Sequence, residues 1–363
     1  MKLGRAFLIL GAGLLSSLAL VASAAGTTAA HHAYVKHLQL QVAALALDGN
    51  NVAYDVSARD ATTANATNKV LVWNAVTGKT TKVSGKKTAS ADTSSTGAGV
   101  FQLAIAGSRV AWLVNEGGNT EGDDYLFTSS LTTPKERKVA SAVRTGDSCP
   151  GRSAQHCAGS WLGGLVGSGN SIAANRWSTD SQGAVALGGL YTLKGTQLHS
   201  IATGTNTVWA VSSDAGREAV LRSDGAVAVY SASGNVLVTV NPGDAQSAAL
   251  SGKNLVVLTQ PRKLALYDAQ TGSLRKTLSL QGKTQQNLDV QGNIAIYTTG
   301  SSVHAVNLLT GRDRAVGTLP NRIAFARIDG AGLAYAGNGV RTTFGKGTLV
   351  FVPMAHIKAE VSV

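Results

Sequence analysis

The densest group of oxygen donors in the chain is Asn115-Glu116-Gly-Gly-Asn119-Thr-Glu121-Gly-Asp123-Asp124. Calcium takes about six to eight oxygen ligands and suits flexible Gly-containing loops. Asn115, Glu116, Asn119, Glu121, Asp123 and Asp124 are therefore a candidate calcium site, although the spacing is not that of an EF-hand. A solvated acidic loop is the alternative. Cys149 and Cys157, the two cysteines, sit in a Gly/Ser/Pro loop. Outside the cytosol that pattern predicts a disulfide. A metal pair completed by His156 is the alternative, and it falls short of the roughly four ligands zinc needs. Trp161, at the end of this loop, and Arg176 with Trp177 could offer apolar plates and a guanidinium to a glycan or peptide. Packing is the competing role for each.

Catalysis finds little support. The seven histidines are scattered without ligand spacing. No nucleophile elbow, metalloprotease helix or phosphate loop occurs. His156 has Ser153 and Asp147 near it in sequence, which a Ser-rich loop readily supplies by coincidence. The residues thus favour a binding module over an enzyme.

These side chains need a frame, and the composition points to sheets. Charged residues are 14%, against about 25% in typical soluble chains. Abundant small and β-branched residues suit stacked sheets. The net charge of +12 favours acidic polymers as partners. Nucleic acid is not expected, because aromatics are 5% and no basic stripe interleaves with them. The N-terminus has Lys2 and Arg5, an apolar run from Ala6 to Val21, then Ala22-Ser23-Ala24. It reads as a secretory signal peptide over 1–24, followed by a short linker over 25–33. An uncleaved anchor is the alternative. No later segment is long and apolar enough to span a bilayer, so the expected mature chain is secreted, or held in the envelope or periplasm, without a transmembrane span.

From residue 34 onward the chain repeats itself. Short apolar runs at 51–56, 109–114, 171–176, 218–223, 254–259, 293–298 and 332–337 mostly follow a Gly turn such as Asp-Gly-Asn or Gln-Gly-Asn. Such turns need φ > 0 and signal hairpins. Each run is followed by another, at 69–76, 124–131, 188–193, 226–233, 263–270, 302–309 and 348–355. Several of these end in Thr-Gly-Lys, Thr-Gly-Ser or Thr-Gly-Arg. A strand before and a strand after give four per unit. Seven such units predict an all-β, seven-bladed β-propeller of four-stranded antiparallel blades over 34–363. A β-sandwich is the alternative. Two segments could close the ring: 32–42, which alternates more cleanly, and 356–363.

The runs "VAY…VLVWNAVTGK" (52–79) and "LVVL…LALYDAQTGS" (255–273) resemble blades of bacterial TolB-like and quinoprotein-like propellers. The quinoprotein resemblance would imply a Trp shortly after the Thr-Gly turn. "KTTKV", "SLRKTL" and "RDRAV" carry none, so no quinone cofactor is expected. The TolB-like resemblance implies an assembly role in the envelope.

Propeller topology puts the links inside the first and last hairpins of every blade at one end. The remaining links gather at the other. The long segments 57–69, 85–99, 115–124, 141–161 and 175–189 are all of the second kind. Long loops on a rigid frame are where function concentrates. The expected function is a secreted, non-enzymatic module that presents this end to a protein, peptide or glycan. A secreted hydrolase or lyase at the same mouth is the alternative.

Overall fold

A computed structural model describes residues 33–58, 67–89, 99–117, 122–144, 159–180, 185–204, 208–260, 262–282, 286–338 and 346–362. The expected signal peptide and the linker up to residue 32 lie outside the described residues, as do Asn119, Glu121, Cys149 and Cys157.

Strand β1 (Tyr34–Leu38) comes first in the chain but belongs to the last sheet. Blade 1 is β2 (Gln41–Asp48), β3 (Asn51–Ala58), β4 (Thr67–Asn74) and β5 (Thr80–Lys82), and a single helical turn, α1 (Lys86–Ala89), follows it. Blade 2 is β6 (Gly99–Ala106), β7 (Arg109–Gly117), β8 (Gly122–Ser130) and β9 (Arg137–Arg144). Blade 3 is β10 (Gly159–Ser168), β11 (Ser171–Thr179), β12 (Val185–Lys194) and β13 (Gln197–Gly204). Blade 4 is β14 (Val208–Asp214), β15 (Arg217–Arg222), β16 (Val227–Tyr230) and β17 (Val236–Val240). Blade 5 is β18 (Ala245–Ser251), β19 (Asn254–Thr259), β20 (Lys263–Asp268) and β21 (Leu274–Ser279). Blade 6 is β22 (Gln286–Gln291), β23 (Ile294–Thr299), β24 (Ser302–Asn307) and β25 (Asp313–Thr318). Blade 7 is β26 (Ile323–Ile328), β27 (Gly332–Asn338) and β28 (Gly347–Pro353), with β1 as its outer strand.

All seven sheets are antiparallel and four-stranded. The first strand of each blade touches that of the next, and β26 touches β2, which closes the ring. Both faces of a blade are buried against neighbours. That is why β19 is buried along its whole length, and why Ala53, Ala111, Ala173, Ala295 and Ala334, one in each of five second strands, are fully enclosed. Seven separate apolar clusters fill the seven gaps between blades. The smallest lies between blades 3 and 4, where only Ala173, Leu190 and Val220 are fully buried.

Ring closure uses the N-terminal candidate. β1 pairs with β28, Tyr34 opposite Phe351 and Leu38 opposite Gly347, so first and last segments share one sheet. The other candidate is not a strand. Met354–Ser362 forms helix α2, and Met354, Ile357 and Val361 bury its inner side in the cluster between blades 6 and 7. Their spacing, three then four residues apart, is helical.

The repeated Thr-Gly has a local cause. In Asn74–Lys79, Asp268–Ser273 and Asn307–Arg312, the first side chain accepts the backbone N–H of the Thr through its Oδ1, at 2.9, 3.0 and 3.2 Å. Gly78, Gly272 and Gly311 then turn the chain at φ of 73°, 73° and 83°, where a Cβ is disfavoured.

Candidate functional site

An axial channel runs between the seven first strands. Its two ends differ. At one end lie the turns from first to second and from third to fourth strand. There the channel forms a cavity of about 110 Å³ lined by Asp48, Asp214, Asp289 and Asp329 among others. At the other end, where the longer connections leave the blades, it opens into a cavity of about 270 Å³. These are the narrow and wide ends.

The carboxylates of the narrow end act as latches between blades. Asp48 of blade 1 accepts the Gly107 N–H of blade 2 (2.5 Å), and Asp214 of blade 4 accepts the Gly252 N–H of blade 5 (2.9 Å). Ser251 does the same for Gly292 at 3.0 Å, and Asp329 for Gly49 across the ring closure. Asp329 also accepts from Ala331 (2.8 Å) and Gly332 (3.1 Å). Burial pushes the Asp329 carboxyl up to about 6, against the pull of these N–H groups, with a further push from Asp48. Burial likewise raises Asp48 and Asp289.

The wide end is shaped by a different device. In all seven blades the pairing of first and second strand slips register. Such bulges re-aim side chains. Residues at or beside them line the wide cavity: Leu45, Phe101, Gln102, Leu165, Asn287 and Phe325. Asn287 holds a left-handed φ of 52°, which Asn tolerates better than most residues. Its side chain donates to Ala324 O of blade 7 at 3.2 Å. Arg327 lines both cavities and so lies between them.

Trp209 completes the wide cavity and joins it to a strip of indoles. Trp161 and Trp177 are register partners on β10 and β11, with rings parallel within 3° and centroids 6.1 Å apart. Trp177 meets Trp209 of blade 4 at 5.3 Å. The strip spans the gap between blades 3 and 4, where the apolar cluster is smallest. Gly163 lies beneath it: a Cβ there would stand 2.9 Å from the Trp209 ring and 3.1 Å from the Trp177 ring. These three indoles are half-buried, whereas Trp73 and Trp112 are core residues at 4% and 0% exposure.

The structure regroups the residues singled out by sequence. Trp161 and Trp177 come together. Arg176 does not join them, because strand alternation sends it to the opposite face of β11 from Trp177, where it is exposed. The segments 115–124 and 175–189, read as long loops, are mostly strand: β7 and β8 run to Gly117 and from Gly122, β11 and β12 to Thr179 and from Val185. Of the calcium candidates, Asn115 donates to Asp124 Oδ1 (2.7 Å), Asp124 Oδ2 accepts from the Leu162 N–H (3.1 Å), and Asp123 accepts from the Tyr125 hydroxyl (2.6 Å). Glu116 stands opposite Asp123. Among the described residues, no group of three or more His, Cys, Asp or Glu is placed to hold a metal. Trp209, Arg327, Phe101 and Phe325 were not singled out by sequence. The signal for Trp209, Phe101 and Phe325 is the position of each near the start of a first strand, legible only once the bulges are known, whereas Arg327 lies near the end of β26.

No known family model matches the chain, and no curated protein does. Solved structures do. The WD40 β-propeller domain of Doa1 is 12% identical with a TM-score of 0.53, over 90% of this chain and 97% of that one. The computationally designed Ika8 protein is 13% identical with a TM-score of 0.48, over 86% and 96%. At the identity of the first, the likeness shows the fold alone.

Proposed function

We propose that this propeller is a non-enzymatic binding module of the cell envelope or extracellular space. It engages a protein, peptide or glycan with its wide end. The observation that carries this reading is the indole strip Trp161–Trp177–Trp209, which runs half-buried into an open cavity. Half-buried tryptophans with an apolar body are common anchors for ligands. General acid–base chemistry needs a positioned carboxylate or histidine. Neither type lines the wide cavity among the described residues. The narrow-end carboxylates already hold backbone N–H groups of neighbouring blades.

Export rests on the N-terminal segment, with cleavage after Ala24 and a disulfide between Cys149 and Cys157. The TolB-like blade motif fits an envelope setting. The reading needs neither quinone nor calcium. An array of envelope proteins, peptides and glycans tests it, probed with the wild type, Trp161→Ala and Asp48→Asn. Ligands lost with Trp161→Ala, kept with Asp48→Asn and recovered chemically unchanged are the expected result. Ligands indifferent to Trp161, or turned over, overturn it.

A further inference from the structure

The wide cavity has a direction. Arg327 is the one charged side chain that lines it among the described residues, and it lies at the floor, where the two cavities meet. One guanidinium N–H goes to the Ala326 carbonyl at 2.9 Å. The walls above it carry Phe101, Phe325 and Trp209, with Gln102, Ser247 and Asn287 between them. Below Arg327 come the four carboxylates of the narrow end. Among the described residues, an anion entering from the wide end therefore meets the Arg327 guanidinium before the narrow-end carboxyls, of which Asp289 already feels that cation. The net charge of +12, which remains strongly positive once Lys2 and Arg5 of the expected signal peptide are removed, favours the approach of such a ligand.

The shape argues for repeated rings. Flat apolar faces recur from the cavity across the gap between blades 3 and 4 as Trp209, Trp177 and Trp161, the last two parallel within 3°. A glycan supplies one ring after another, each with apolar C–H faces and a hydroxyl rim for the amides. A peptide that binds by adding a strand would need a regular strand edge. The inner strands offer none, because each carries a register slip in this half of the channel.

We propose that the wide cavity binds an acidic sugar unit of a glycan, its carboxylate toward Arg327 and its ring against Trp209, Phe101 and Phe325, with the adjoining units running across Trp177 and Trp161. This rests on the wide end being the binding end, and names its ligand class.

The test titrates the full mature chain with a galacturonate oligomer, its methyl ester, the neutral galactose oligomer and a Glu-rich peptide, by calorimetry and tryptophan fluorescence. The acid should bind at least ~10-fold tighter than ester or neutral oligomer, as a charge-assisted pair allows. Arg327→Gln should erase that difference, and Trp161→Ala should weaken all three sugars alike. If Arg327→Gln does not fold, Arg327→Lys keeps the cation but loses the fork. It should cut the preference for acid over ester several-fold. An undiminished preference in either variant overturns the proposal, as does equal binding of acid and ester, or no sugar binding at all. A peptide that binds as tightly as the uronate, with the same dependence on Arg327, overturns the glycan assignment and leaves the wide end as the binding end. Ligands that ignore Trp161 as well would remove that broader reading too.

Discussion

At the narrow end of the channel, the last residue of an inner strand grips the next blade. At the wide end, a bulge in the same strand breaks the regular ladder and turns side chains toward the axis. Asp48 and Leu45 belong to one strand and illustrate both: Asp48 holds the Gly107 N–H, while Leu45, just past the slip, lines the open cavity. Both ends carry hydrogen bonds between blades, at the wide end through Asn287, Gln102 and Asn338, but only the wide end opens into the larger cavity.

Two glycines break or sharpen this contrast most strongly. Gly272 sits in a narrow-end turn at φ 73°, and a Cβ there would lie 2.7 Å from Val238 Cγ2 of the preceding blade. Gly272→Val combines a left-handed backbone with a steric clash and should cost about 3 kcal/mol or more in chemical denaturation. Gly163→Val at the wide end meets only indole rings, at 2.9 and 3.1 Å. Those rings are half-exposed and can swing aside. The expected loss is about 1 kcal/mol, with a changed tryptophan emission and lost ligand binding. If both substitutions cost the same, the indole strip is core and the contrast fails.

Next in size is Asp329→Ala. It removes the acceptor for Gly49, Ala331 and Gly332 at the ring closure. Leaving such donors unmade should cost about 2 kcal/mol. Thermal or urea unfolding would read this, and ligand binding at the wide end should not change. A loss of binding would mean that the two ends are coupled through the blades.

The buried acids give a pH dependence that can be assigned to an end. Burial pushes Asp55, in β3 towards the wide end, up to about 7, opposed by hydrogen bonds from Ser57 and the Lys69 N–H. It pushes Glu218, beside the narrow-end turn of blade 4, up to about 8, opposed by Ser213 and assisted by Asp214. One oxygen of each carboxyl has no hydrogen-bond partner. A raised carboxyl pKa stabilises the fold fully below the unfolded value, and this is lost as pH rises through the folded value. Stability should therefore fall between about pH 5 and 8.5. Asp313 acts oppositely: burial pushes its carboxyl up, but His304 and Tyr297 outweigh that and hold it low, so its contribution is lost as pH falls below about 4. Glu218→Gln and Asp55→Asn should each flatten the alkaline limb by about 1–2 kcal/mol. Urea midpoints across this range check it. A flat profile in the wild type would mean that neither acid is buried in solution.

Much of the frame is legible in the sequence, for a physical reason. Turns and alternation are local, so Gly49, Gly252 and Gly292 mark hairpins, and all seven second strands lie where the apolar runs place them. The closing segment was half legible: 32–42 alternates, but it divides between β1 and β2, which belong to different blades. The helical spacing of Met354, Ile357 and Val361 was present and masked by the expectation of a strand. The site was least legible. Trp161 and Trp177 stand out by residue type, yet nothing local says that Trp209, more than thirty positions on, meets them, or that Arg176 points the other way. Arg327 and Phe325 sit in an ordinary alternating run, and only the register slip between Ile323 and Phe325 sets how they face the channel.

The smallest expected effect isolates what a carboxylate does at the narrow end. Asp268 Oδ1 accepts the N–H groups of Gln270 (2.9 Å) and Thr271 (3.0 Å). Asn307 does the same in the sister turn, accepting from Leu309 and Thr310. The turn therefore asks for an acceptor oxygen, and charge is incidental. Asp268→Asn should leave the unfolding midpoint at pH 7 unchanged within error, since the Asp268–Arg275 pair at 3.8 Å is partly exposed and worth little there. Below about pH 4 the two proteins should part. The hydrogen bonds from Gln270 and Thr271 hold the Asp268 carboxyl low, so the wild type loses that contribution as pH falls through the folded value, and the Asn variant has nothing to lose. A drop at pH 7 as large as that of Asp329→Ala would show that negative charge itself is required there. The narrow end would then be an electrostatic feature rather than a set of acceptor oxygens, and the division of labour between the two mouths would have to be redrawn.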